Sequence, residues 1–188
     1  MLWIAGVGSR KTPPPFLRVI EKLAYDISNR GTGIRSGNAF GADQAFEKGG
    51  RAGASRVVSY LATPKPGVDG IALSQIHASI AAQACEIAKA HHPAWSRLDA
   101  YAQKLMTRNV LQVLGSTLDE PVIGVACWAS GSVLDGGRVA SVAGGTGLAV
   151  RIAHNRGIPV LNLALPCHLE RARRWHHSPD LPTEHLFH

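Results

Sequence analysis

The chain of 188 residues carries 20 Lys and Arg against 13 Asp and Glu, a formal net charge of +7, with a mean hydropathy of +0.01. That length supports one ordinary domain with a proper core, and the mixture of apolar and charged residues excludes a disordered or fibrous chain. The basic excess suits a nucleotide, a nucleic acid or another acidic partner, and no apolar run reaches the length of a membrane span. Cys85, Cys127 and Cys167 are odd in number and widely spaced. They form neither a disulfide framework nor a Cys-x-x-Cys zinc site, so a reducing, cytoplasmic setting is expected. The N-terminus lacks the basic segment of a signal peptide.

Residues 2–5 are a short apolar run that closes on Gly6-Val7-Gly8-Ser9-Arg10-Lys11. Such a run reads as a buried parallel strand. Thr12 and Pro13 to Pro15 lead into residues 16–29, where Phe16, Val19, Ile20, Leu23 and Ile27 keep helical spacing. Proline is accommodated in a first helical turn. Strand, glycine turn and helix open a βαβ unit. The six-residue dinucleotide fingerprint fails, because Lys11 stands where its third glycine belongs. A phosphate turn of another type stays open, with Ser9 as hydroxyl donor and Arg10 or Lys11 as charge.

Residues 31–35 are a second strand candidate, ending in Ser36-Gly37-Asn38-Ala39-Phe40-Gly41-Ala42-Asp43. Residues 42–48 read as a helix stopped by Gly49-Gly50. Asp43 and Glu47 are four apart and share a helix face, which makes them the candidate catalytic pair. The alternative is Asp43 as a cap and Glu47 as a solvated side chain. Residues 56–61 form a third strand rich in β formers. Residues 63–70 are a Pro- and Gly-containing loop, and residues 74–91 a long helix that ends before Pro93. His91 and His92 are adjacent, so they do not share a helix face. No third ligand stands at a metal spacing, and no metal is expected.

Residues 95–114 read as one helix, apolar at Leu98, Tyr101, Ala102, Leu105, Val110 and Val113. Arg108-Asn109 interrupts it, as an exposed patch or as a polar contact to a ligand. Residues 121–128 are the clearest buried strand, and residues 129–140 read as a glycine-containing loop. Gly144, Gly145 and Gly147 then surround Thr146 before an apolar helix with Leu148, Ile152 and Ala153 inward. A helix that starts in such a turn aims free N–H groups and its positive dipole end at an anion. Residues 157–163 are a last strand with Pro159 at its beginning.

The tail from Pro166 holds Arg171, Arg173, Arg174, Trp175, His176, His177, His185 and His188. It is expected to be a solvated helix that frays into coil. Contact with nucleic acid through phosphates and the tryptophan is the alternative. The organisation expected is one domain over 1–165 and a basic tail or helix over 166–188. The fold class expected is α/β: a Rossmann-like, doubly wound, mostly parallel sheet of five to seven strands with helices on both faces. In such a sheet the three glycine turns converge outside the carboxyl ends of the strands.

Gly-Val-Gly-Ser-Arg at 6–10, Ser-Gly-Asn-Ala-Phe-Gly-Ala-Asp at 36–43, Arg108-Asn109 and Gly-Gly-Thr-Gly at 144–147 together resemble the SLOG superfamily. That group is the Rossmann-like fold shared by the DNA-processing protein DprA (Smf), the YspA/YpsA-like proteins and the LOG phosphoribohydrolases. The resemblance covers about residues 2 to 163. Its most specific part is Ser-Gly-x-Ala-x-Gly-x-Asp, and its order and spacing look like small DprA-like proteins of bacteriophages.

The resemblance implies a binder of nucleotides or nucleotide derivatives, without cofactor, membrane or metal, and a homodimer or higher homo-oligomer. The ligand would be held by Gly8, Ser9, Arg10, Ser36, Gly37, Asn38, Asp43, Arg108, Asn109, Gly144, Gly145, Thr146, Gly147 and Arg151. Backbone N–H groups of residues 8–10 and 145–147 would hold phosphate, while Ser36 and Asp43 would touch ribose or base. A LOG-like N-glycosidic hydrolase or transferase is a second reading, with Asp43 or Glu47 activating water or stabilising an oxocarbenium-like transition state. Against it, the LOG pattern Pro-Gly-Gly-x-Gly-Thr-x-x-Glu reads here Ala143-Gly-Gly-Thr-Gly-Leu-Ala-Val-Arg151, with arginine in place of the catalytic glutamate. A third reading is a single-stranded DNA-binding module in the DprA manner. Recombinase loading is not expected from a chain without the extra domains of transformation-type DprA proteins.

Overall fold

The computed structural model describes residues 1–188. Eight strands occur: β1 (Trp3–Gly8), β2 (Gly33–Ser36), β3 (Val57–Leu61), β4 (Ile71–Ala72), β5 (Gly124–Trp128), β6 (Val133–Asp135), β7 (Arg138–Ser141) and β8 (Val160–Asn162). Six of them form one sheet in the order β4-β3-β2-β1-β5-β8, every pairing parallel. The helices are α1 (Pro14–Asn29), α2 (Ala42–Ala52), α3 (Ala78–His91), α4 (Ala100–Leu114), α5 (Thr146–Asn155) and α6 (Pro166–His176). The expected Rossmann-like α/β class is the observed one.

Successive residues of β1 point to opposite faces. Ile4 joins a core with Ile20, Phe46, Leu161 and Trp175, carried by α1, α2 and α6. Ala5 and Val7 join the opposite core with Leu111, Leu148 and Ile152, carried with α3 by α4 and α5. A sheet covered on both sides needs apolar residues at every position, which is why its strands read as unbroken apolar runs. From β1 the chain winds outward first through β2, β3 and β4, then returns to β5 on the other side. The point of reversal lies between β1 and β5, where the loops diverge and leave a crevice.

Several expectations are corrected. Gly49-Gly50 does not stop α2, which runs on to Ala52. A Cβ at Gly49 would lie 2.0 Å from the Glu21 carbonyl oxygen, so the glycine is what lets α2 lie against α1. The helix expected over 74–91 is a 3-10 turn (Leu73–Gln75) followed by α3. The helix expected over 95–114 is likewise a 3-10 turn (Trp95–Arg97) followed by α4, whose first turn is capped by Asp99 accepting from the Ala102 N–H at 2.7 Å. The expected loop at 129–140 holds the β6–β7 hairpin. Its turn is Gly136-Gly137, both at positive φ as a two-residue hairpin turn requires.

The tail does not fray. Trp175 is 2% exposed, and its Nε1 donates to the Pro182 carbonyl at 3.0 Å while Arg30 covers its ring. Leu186 and Phe187 belong to the same core as α1 and α2. The tryptophan is therefore withdrawn from any stacking partner outside the chain. No helix is long and apolar enough to cross a membrane.

Candidate functional site

A cleft of about 970 Å³ opens at the carboxyl ends of β1, β2, β3 and β5. Four segments wall it: residues 8–11 after β1, 37–40 after β2, 61–66 after β3, and 143–146 ahead of α5. Behind them runs α4, which contributes Tyr101, Leu105, Arg108 and Gln112. Spacings of four, three and four put these residues in one stripe along the helix. The three glycine turns thus meet at one site.

The first turn holds its shape with the groups expected to hold phosphate. The Gly8 N–H donates to Asp43 Oδ1 at 2.9 Å, and the Ser9 N–H to the Trp128 carbonyl at 2.9 Å. Ser9 Oγ accepts from the Lys11 N–H at 3.0 Å. Of residues 8–10 only Arg10 keeps its N–H free of internal bonds. An anion here meets the side chains of Arg10 and Lys11 rather than a nest of amides.

The second turn is organised by Asp43 and Glu47, both buried. Glu47 accepts from the Asn38 N–H at 2.8 Å and from Asn38 Nδ2 at 2.7 Å. Both of its oxygens are taken up in holding Asn38 at φ 53, and Glu47 does not line the cleft. Asn38 Oδ1 in turn accepts from Lys65 Nζ at 2.8 Å, which brings that lysine from the third wall to the second. Ser36 also lies beneath the cleft and not in it: its hydroxyl donates to the Gly6 carbonyl at 2.6 Å.

Asp43 does line the cleft. Burial pushes its carboxyl up to about 6, against the opposing pull of Arg108 and the Gly8 N–H. Arg108 Nη1 stands 3.6 Å from Asp43 Oδ2, with both side chains under 10% exposed. The guanidinium is seated against Gly37, where a Cβ would come within 1.6 Å of Nη1. The long contact with Asp43 is the one acceptor that the guanidinium meets, and its Nε is fully enclosed without a partner. A guanidinium carries five donors in a fixed fork, so this buried cation presents hydrogen-bonding capacity that the protein leaves unused. Burial lowers its pKa from the usual arginine value, with Asp43 the largest force opposing that shift.

In the third turn Gly144 takes φ 74, and Asn109 Nδ2 donates to the Gly145 carbonyl at 3.1 Å. The Gly147 N–H is bonded to the Gly144 carbonyl, whereas those of Gly144, Gly145 and Thr146 stay free. These three residues line the cleft; Gly147 does not. Arg151 is turned away. Its Nε donates to the His91 carbonyl at the end of α3, 2.8 Å distant, where it caps that helix and reaches no ligand in the cleft.

Four cations (Arg10, Lys11, Lys65 and Arg108) face the cleft against one acid, Asp43. Two aromatic side chains stand at its mouth, Phe40 at 69% and Tyr101 at 56% exposure. Sequence reasoning passed over Phe40, Lys65, Tyr101 and Gln112 as site residues. Tyr101 and Gln112 carried a usable signal, since they extend the helical spacing of Arg108 in both directions. Lys65 lay in an unpatterned loop and carried none.

The family model for DNA recombination-mediator protein A matches residues 2–134. The chain belongs to that family. The match runs from β1 into β6, so Gly144–Thr146 and the tail lie outside it. No curated protein matches the chain. DNA processing protein A from Helicobacter pylori, described for its single-stranded DNA binding mode, is 13% identical with a TM-score of 0.49. The alignment covers 85% of this chain and 63% of that one. DprA from Streptococcus pneumoniae is 15% identical over 85% of this chain and 49% of that one, with a TM-score of 0.48. The Moco carrier protein of Chlamydomonas rheinhardtii is 16% identical over 96% of this chain and 85% of that one, with a TM-score of 0.50. The chain therefore spans less than two thirds of the two DprA chains, and what it shares with the carrier protein is the fold.

Proposed function

We propose that the cleft binds single-stranded nucleic acid, taking nucleotide units whose phosphates lie against Arg10, Lys11, Lys65 and the free N–H groups of residues 144–146. The observation that carries this reading is the lining itself: four cations to one acid, with Phe40 and Tyr101 exposed at the mouth. Basic grooves with aromatic platforms hold single strands through phosphate contact and base stacking. Membership of a DNA recombination-mediator family supports a nucleic-acid partner. A free nucleotide or nucleotide derivative would use the same phosphate positions. N-glycosidic cleavage has less support, because Glu47 is occupied by Asn38 and Arg151 stands where the LOG glutamate would be.

The test is fluorescence anisotropy of labelled oligothymidine over a salt series, with a duplex of equal length for comparison. Engagement of three phosphates by Arg10, Lys11 and Lys65 gives a log–log salt slope of about −2 for a single strand. Replacing Arg10, Lys11 and Lys65 together by alanine flattens that slope and weakens binding more than tenfold. Absence of binding at low salt, or binding indifferent to the three substitutions, overturns the assignment.

A further inference from the structure

At the inner end of the α4 stripe the Gln112 side chain is 0% exposed, and neither its Oε1 nor its Nε2 has a hydrogen-bond partner. Its amide nitrogen and Arg108 Nη1 press against the same point beside Gly37. Two neighbouring side chains on one helix face, each with enclosed polar atoms that lack a partner, are a rare arrangement, because an orphaned buried polar group costs stability that an apolar residue of the same shape would restore. Such groups call for an explanation, and the place of both on the cleft wall points to a ligand.

The stripe has a direction. Tyr101, at the mouth, offers an exposed ring; Leu105 follows; Arg108 and then Gln112 lie progressively deeper. Eleven helical residues rise about 16 Å, which accommodates a nucleotide with its phosphate outward and its base inward. We propose that Gln112 and Arg108 form a base-reading floor, hydrogen-bonding the edge of a nucleobase that enters the cleft. Both groups line the cleft, the guanidinium seated on Gly37 with the amide beside it. An amide offers one acceptor and a donor side by side, the pattern with which glutamine reads base edges. Asp43 Oδ2 adds a second acceptor at the same depth; its contacts with the Ala39 N–H at 3.4 Å and with Arg108 at 3.6 Å are both long.

This inference rests on the proposed nucleic-acid reading and adds discrimination between bases to it. Stacking on Phe40 and Tyr101 tolerates any base, whereas edge contacts do not. Affinities are measured for the four homo-oligonucleotides and, separately, for the four nucleoside monophosphates; the two arms tell a strand from a free nucleotide as the source of the base. Wild-type protein separates its best base from its worst by more than tenfold in at least one arm. Gln112→Met brings that ratio below threefold while its melting temperature equals or exceeds the wild-type value, since two orphaned polar atoms are removed. Gln112→Glu, which keeps the shape and loses the donor, reorders the base preference, and it carries the test if the methionine variant does not fold. Equal affinity for all four bases in both arms, or an unaltered ratio in the folded variants, overturns the base-reading floor and leaves the phosphate-binding cleft standing. Failure to bind any strand or nucleotide removes both.

Discussion

Gly37 matters for what it lacks. Its backbone conformation is open to other residues, but Arg108 occupies the space where a side chain would begin. Gly37→Ala therefore drives the guanidinium off its seat and away from Asp43. Affinity for a single strand falls about tenfold or more, by anisotropy, in a protein that still melts cooperatively. Asp43 supplies a second prediction. Its folded carboxyl titrates near 6, above the usual 3.8, so between those values the folded chain binds a proton that the unfolded chain releases. The group favours folding when protonated, and this contribution, roughly 3 kcal/mol, is lost as pH rises through 4 to 6. Protonation also removes the one negative charge of the cleft, where no histidine lies. Polyanion affinity accordingly strengthens as pH falls from 7 to 5, and NMR titration of the Asp43 carboxyl places its midpoint near 6, moving higher in Arg108→Met. Asp43 and Arg108 were legible in the sequence, the first as the acid that closes a glycine turn and the second as a charge inside an otherwise apolar helix. The pairing of Arg108 with Gly37 was not, because nothing in a glycine announces which distant side chain fills the space beside it.

At the scale of elements, short apolar runs identified β1, β5 and β8, and helical spacing of apolar residues identified α1 and α4. Local rules failed where tertiary contact reverses them. Gly49-Gly50 reads as a helix stop because glycine is a poor helix former, yet α2 passes through it to lie on α1. Alanine in a helix interior ordinarily stabilises by about 1 kcal/mol relative to glycine. Gly49→Ala does the opposite here: its methyl meets the Glu21 carbonyl, overpacking costs about 1–3 kcal/mol or more, and the melting temperature drops by several degrees. The β6–β7 hairpin escaped detection for another reason. Val133 and Leu134 are more than half exposed and β7 buries only Val139, too little to impose the alternation by which strands are recognised.

At the scale of the whole molecule, the basic tail loses part of its nucleic-acid signature on folding. Arg171, Arg173, Arg174 and Trp175 have the composition of a nucleic-acid contact, but composition does not reveal which face of α6 turns inward. Trp175 goes to the core shared with α1 and α2, and Arg171 donates to the Phe187 carbonyl at 3.2 Å. What remains outward is charge without an aromatic partner. The cleft has both, and it lies where the sheet reverses direction, a place fixed by topology and not by any single motif. Its location follows from the order of the strands, and its chemistry from α4 and the turns around it. Backbone amide NMR of the isotope-labelled chain, titrated with a short oligothymidine, tests this most directly. Binding in the cleft shifts the amides of residues 8–11, 38–40 and 144–146, with little change along α6. Shifts confined to Arg173, Arg174 and their neighbours, with the three turns unmoved, would contradict it.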